Sequence, residues 1–155
     1  MAMSVTNPST GLVEKTYEED TPEILEHKLS LAQQAHETLR RTTFVERAQW
    51  MLAAADLMEA DVDSLAPMMV SEMGKPLAQA EAEVHKCVKN MRFFAHKAKE
   101  FLADEKLEDP SSVNASAAWA RYEPLGVVLA VMPWNYPLWQ VMRFAAPAFQ
   151  SRQIT

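Results

Sequence analysis

The sequence predicts an α/β fold in which a helical lobe precedes one strand–loop–helix unit. Three observations carry this. Apolar residues recur at helical spacing along four successive stretches between residues 21 and 103. Residues 127–132 then form an unbroken apolar run rich in β-branched side chains, the pattern of a strand covered on both faces, as in a parallel sheet. The run ends in Pro133-Trp134-Asn135-Tyr136-Pro137, after which Leu138, Val141, Met142, Ala145 and Phe149 return to helical spacing. Strand, sharp loop and helix form a unit whose loop commonly carries a ligand in open α/β sheets.

In chain order, residues 4–18 read as a small β-hairpin or extended segment around the turn Asn7-Pro8-Ser9-Thr10-Gly11. Thr21-Pro22-Glu23 starts a helix: a hydroxyl cap, a proline at the first position, an acid in the first turn. Leu25, Leu29, Ala32, Ala35 and Leu39 make its stripe, and Arg40-Arg41 suit its negative end. Thr43-Phe44-Val45-Glu46 matches a capping box. The second helix then buries Phe44, Ala48, Met51, Leu52, Ala55 and Met58. A third, shorter helix covers about 64–73, tolerating Pro67 in its first turn; Gly74 caps it in the left-handed conformation and Pro76 stops it. A long helix over 77–103 carries Ala80, Val84, Cys87, Val88, Met91, Phe94, Ala98 and Phe101 on one side. Four such helices need one another, or a sheet, to bury these faces. The character changes at Lys106: a polar loop at 109–114 leads to an expected strand over 117–122, and Glu123-Pro124-Leu125-Gly126 turns the chain into the apolar run.

Composition narrows the functional classes. With 48% hydrophobic and 23% charged residues the chain is an ordinary globular sequence long enough for one core. A net charge of -6 without any basic run argues against a nucleic-acid surface. One cysteine allows no internal disulfide and fits a reducing, cytoplasmic location. No apolar run approaches the ~18 residues of a membrane span, and the polar opening has no secretory signal. The ten methionines read as adaptable core filling, with a Met-rich binding groove as the alternative.

The stretch PLGVVLAVMPWNYPLWQVMRFAAPA at 124–148 closely resembles the N-terminal signature of the NAD(P)-dependent aldehyde dehydrogenases, the Pro-Trp-Asn loop above all. Leu-Trp-Gln-Val-Met-Arg after it is similar to the bacterial succinate-semialdehyde dehydrogenase branch, and Glu72-Met73-Gly74-Lys75-Pro76 extends the match backwards. The resemblance implies the N-terminal part of that fold: a helical lobe plus the first strand and helix of a Rossmann-like NAD domain, with a β-hairpin excursion. It divides the chain into cofactor-domain helices (1–105), a hairpin that joins subunits in the family (106–122), and the first strand–loop–helix of an incomplete dinucleotide-binding fold (123–155). An ordinary surface hairpin is the equal alternative for 106–122. Family members are much longer, and Gln150-Ser151-Arg152-Gln153-Ile154-Thr155 departs from the family's Leu-x-x-Gly-Asn continuation, so a truncated chain is expected.

The candidate chemistry follows from the same stretch. Aldehyde oxidation by a cysteine thiolate develops an oxyanion that donors already in place must hold. An asparagine amide on a rigid loop supplies one such donor. The residues alone favour Asn135 as a cap of the following helix; the resemblance implies the oxyanion donor instead. It also places Met132, Pro133, Trp134 and Asn135 on the cofactor cleft for NAD or NADP, where a strand end packed on helices is the plain alternative. Arg143 lies eight positions past Asn135 and shares a helix face with Trp139. There the resemblance implies a guanidinium for a substrate carboxylate, against the usual solvated or structurally paired arginine. Cys87, on an apolar stripe, is expected in the core. The four histidines lack metal-ligand spacing, and Asp61-Val62-Asp63 reads as a helix-cap region, so no metal is expected.

Only Gly11, Gly74 and Gly126 are present, so no glycine-rich phosphate loop can form. The resemblance puts the family's nucleophile and glutamate base beyond residue 155. Two classes follow. One is part of an enzyme oxidising an aldehyde, succinate semialdehyde by the branch resemblance, inactive by itself and joined to like copies when complete. The other is a catalytically inert helical binding or scaffold module derived from that fold. A downstream coding sequence with a cysteine motif would favour the first; a stable, monodisperse helical protein of this length would favour the second.

Overall fold

The computed structural model describes residues 3–153; the first two residues of the polar opening and the last two of the 150–155 segment lie outside the described residues. The expected hairpin is present: β1 (Met3–Thr6) pairs antiparallel with β2 (Val13–Tyr17), with a register shift between Val5 and Thr6. Its turn closes through Asn7, whose side-chain oxygen accepts from the Ser9 N–H at 2.9 Å.

Helix α1 (Pro22–Leu39) starts as its sequence dictates, the Thr21 hydroxyl accepting from the Ile24 N–H. Its expected stripe is not a buried face. Of those residues only Leu39 is buried, while Leu25 and Leu29 are exposed. Periodicity identifies which face of a helix is apolar but not whether anything covers it.

Helix α2 (Phe44–Ala60) begins in a complete capping box: Glu46 N–H donates to the Thr43 hydroxyl, and Thr43 N–H donates to Glu46 Oε2 at 2.8 Å. Helix α3 (Val62–Met73) ends at Gly74, whose φ of 71° is the left-handed cap. A Cβ there would also lie 3.1 Å from Pro8 Cγ, so both conformation and space ask for glycine. Helix α4 (Leu77–Phe101) is the central post, touching α2, α3 and the last helix, α5 (Pro137–Gln150). Met51, Ala55, Val88, Met91, Ala95 and Ala146 form one core cluster; Ala66, Met69, Ala80 and Val84 form the other. The α4 stripe is buried from Ala80 to Ala98 except for the half-buried Phe94, while Phe101 is exposed.

Beyond α4, β3 (Glu105–Lys106) pairs with β4 (Trp119–Ala120), a shorter version of the strand expected over 117–122. An Arg121–Asp104 ion pair and a Tyr122–Glu105 hydrogen bond brace its base.

The main correction concerns 127–132. This segment is not helical, and apart from an isolated bridge at Val127 it joins no sheet; the two sheets among the described residues are the β1–β2 and β3–β4 pairs. Leu129 and Val131 are 88% and 85% exposed. The apolar run encodes a sheet strand covered on both faces, and the described residues bring neither a neighbouring strand to pair with it nor a layer over Leu129 and Val131. Helix α5 follows as expected, with Leu138, Met142 and Phe149 packed against the two clusters and Val141 exposed. No helix among the described residues is long and apolar enough to cross a membrane.

Candidate functional site

The start of α5 poses a local problem. Its first position, Pro137, has no N–H, and its N-cap residue, Tyr136, supplies no side-chain cap. The next two N–H groups, of Leu138 and Trp139, would be left without partners. Both donate instead to one oxygen of Glu83, at 3.0 and 2.9 Å. Glu83 projects from the second turn of α4, so one helix caps another whose first N–H groups lie 55 and 56 residues later in the chain. An acid at a helix N-terminus is also where the dipole favours it.

The other Glu83 oxygen pairs with the Lys75 ammonium, just after the Gly74 cap. Lys75 and Glu83 side chains are only 4% and 2% exposed, a charge pair taken out of water. Such a pair persists only when its remaining hydrogen-bonding capacity is met, and here it is. Lys75 Nζ also donates to the Asn135 carbonyl at 3.2 Å and sits 3.7 Å from the Tyr136 ring centroid. Lys86 covers the Trp139 ring at 3.8 Å. The loop from 133 to 136 is therefore held at the Asn135 carbonyl and the Tyr136 ring, neither of which uses the Asn135 amide.

Asn135 is exposed, and its amide does not cap α5, so the capping alternative fails. Trp134 is largely exposed and Pro133 exposed, while Met132 is half-buried beside Val128, Val141 and Phe144. For Trp134 the packed strand-end reading does not hold.

The far end of α5 is fixed as firmly. Arg47, fully buried in the first turn of α2, donates through Nε to the Gln150 carbonyl at 3.1 Å and through Nη1 to the Thr42 carbonyl at 2.6 Å. Gln150 Nε2 donates back to the Arg47 carbonyl. Burial, with Arg152 nearby, lowers the Arg47 guanidinium to about 10.

Arg143 stands apart from the Asn135 loop. It is exposed, one turn past Trp139, on a cavity of about 400 Å³ lined by Phe94, Ala98, Phe101 and Phe144. No acidic side chain among the described residues pairs with it at salt-bridge distance, so of the alternatives its exposure fits the solvated arginine rather than the paired one. Cys87 is completely buried; desolvation first, then the Glu83 charge, pushes its thiol up to about 12, the opposite of what a nucleophile needs.

Sequence reasoning thus located the loop and missed its holders. The signal for Glu83 was a carboxylate between Ala80 and Cys87, on a face otherwise apolar. The signal for Lys75 was its place in the quoted Gly-Lys-Pro turn.

Comparison with known proteins follows the same residues. The aldehyde dehydrogenase family model matches residues 1–151. The chain is 47% identical over 154 residues to a succinate-semialdehyde dehydrogenase [NADP(+)] of Mycobacterium tuberculosis, covering 99% of this chain and 34% of that protein. It is 46% identical over 151 residues to an aldehyde dehydrogenase of Paenarthrobacter nicotinovorans, covering 97% of this chain and 33% of that one. The solved succinic semialdehyde dehydrogenase of Streptococcus pyogenes, in complex with NADP+, superposes with a TM-score of 0.89 at 32% identity, over 97% of this chain and 32% of that one. An aldehyde dehydrogenase of Brucella melitensis biovar abortus gives 0.90 at 31% identity, over 99% and 31%. The chain spans about a third of the length of the curated relatives it matches.

Proposed function

This chain belongs to the aldehyde dehydrogenase family, and we propose that it supplies the oxyanion donor and one wall of the cofactor cleft to an enzyme that oxidises succinate semialdehyde to succinate. The observation that carries this is Asn135: an exposed amide, unused by α5, on a loop whose backbone is clamped by Lys75 and whose following helix is capped by Glu83. A donor fixed before charge develops needs no reorganisation when it does, which is what stabilises a transition state.

In this reading a cysteine from residues other than these 155 attacks the aldehyde carbon, and the carbonyl electrons collect on oxygen. Asn135 Nδ2 donates to that oxyanion. NADP+, named as the cofactor of the succinate-semialdehyde relatives, would supply the hydride acceptor when bound; NAD+ is the other outcome of the test. Water then releases the acyl group as a carboxylic acid and returns the thiol. Met132, Pro133 and Trp134 form the wall of the cofactor cleft, which accounts for the apolar side chains left open at Pro133 and Trp134. The 127–132 backbone is where neighbouring strands of the dinucleotide fold pair, and the exposed side chains of Leu129 and Val131 are what the helices of that fold cover, with 1–105 and 123–155 as parts of that domain. The 106–122 hairpin, with Trp119 and Tyr122 exposed, is the contact between like subunits.

Arg143 takes the substrate carboxylate, and this can be tested on its own. In an enzyme containing this sequence, Arg143→Leu should raise KM for succinate semialdehyde by about ten- to a hundredfold, the loss of one charged hydrogen-bond partner. An uncharged aldehyde of similar length should be spared. Equal losses on both aldehydes would make Arg143 structural and withdraw the succinate assignment.

A further inference from the structure

We propose that Glu83 and Lys75 are positioning residues for the chemical step, setting where the Asn135 amide stands; this rests on Asn135 being the oxyanion donor. A side chain on a loop can be no better placed than its backbone. The contacts that Glu83 and Lys75 make bracket that backbone: Lys75 holds the Asn135 carbonyl and packs on the Tyr136 side chain, and Glu83 holds the Leu138 and Trp139 N–H groups in the first turn of α5. Glu83 stands within the longest helix of the fold, itself packed on α2, α3 and α5, so the reference point is rigid. Lys75 follows a glycine fixed by both its conformation and Pro8. The ion pair between them joins the two holds into one unit. Loss of either contact frees the first turn of α5 to shift relative to α4. The Asn135 amide moves with it.

A purely structural pair predicts lost stability at unchanged kcat. A positioning pair predicts lost kcat that disappears when the donor is already gone. In an enzyme containing this sequence, Glu83→Gln keeps shape and an acceptor oxygen but removes the charge that fixes Lys75. It should lower kcat by about 10- to 100-fold, the scale of a small misplacement of a catalytic group, with KM for aldehyde and cofactor changed only a few-fold. In the Asn135→Ala background the same change should lower kcat no further. Lys75→Met should behave alike, with Lys75→Arg restoring part of the rate. Should Glu83→Gln not fold, Lys75→Arg against Lys75→Met carries the same comparison.

Additive losses in the double variant, or wild-type kcat in Glu83→Gln beside a slow Asn135→Ala, would overturn the positioning role alone. Wild-type kcat in Asn135→Ala would overturn the oxyanion reading on which it rests. Amide hydrogen exchange at Leu138 and Trp139 of the 155-residue chain gives a readout independent of activity: both should exchange faster in Glu83→Gln, and unchanged protection would sink the proposed clamp.

Discussion

Asn135→Ala should leave cofactor and aldehyde binding nearly intact while slowing turnover by about 10²–10³-fold, the usual cost of one oxyanion donor. The reason is differential. The aldehyde oxygen in the ground state carries only partial charge and is satisfied by water or a weak contact. The oxyanion that follows nucleophilic attack needs a donor already aimed at it. Removing the amide therefore lowers kcat and kcat/KM together and leaves KM little changed. The Asn135 side chain caps nothing, so the substitution should not loosen α5, and unfolding midpoints of variant and parent should agree. A KM effect without a kcat effect would assign Asn135 to substrate binding instead.

Lys75→Met should destabilise the 155-residue chain by about 3–5 kcal/mol, read from urea unfolding, because it leaves the Glu83 carboxylate buried beside the α5 terminus without its counter-charge. The Lys75→Met/Glu83→Gln double variant should recover part of that loss, since neither partner then carries an unpaired charge. The coupling between the two substitutions separates a charge effect from lost packing around Lys75. A single-variant loss below about 1 kcal/mol, the range of surface ion pairs, would mean the pair is open to solvent in solution.

Much of the fold was legible because it is written locally. The Thr21-Pro22 start, the Thr43–Glu46 box and the Gly74 cap each occupy a few neighbouring residues, and each appears as the spacing predicts. Cys87 was legible too, since a thiol between Val84 and Val88 on an apolar stripe has nowhere else to go. What failed was cover. The α1 stripe and the 127–132 run have the composition of buried elements, yet Leu25, Leu29, Leu129 and Val131 are exposed. Hydrophobicity records a demand for a partner; the partner's identity is a tertiary fact. The site was half legible for the same reason. The Asn135 loop announces itself within five residues, but its holders come together only when residues 60, 55 and 56 positions apart meet. Arg47 and Gln150, 103 residues apart, show the same limit at the other end of α5.

These 155 residues should contribute a donor and a wall but no chemistry of their own. The direct measurement is reduced-cofactor absorbance when the purified chain is mixed with saturating NADP+ or NAD+ and succinate semialdehyde. No aldehyde-dependent signal is expected. Cys87 is buried with its thiol pushed up to about 12, and among the described residues the 127–132 run has no neighbouring strand to build a dinucleotide crevice. Cofactor reduction that requires the aldehyde and is abolished by Cys87→Ala would contradict the account, because it would place the nucleophile inside the core described above.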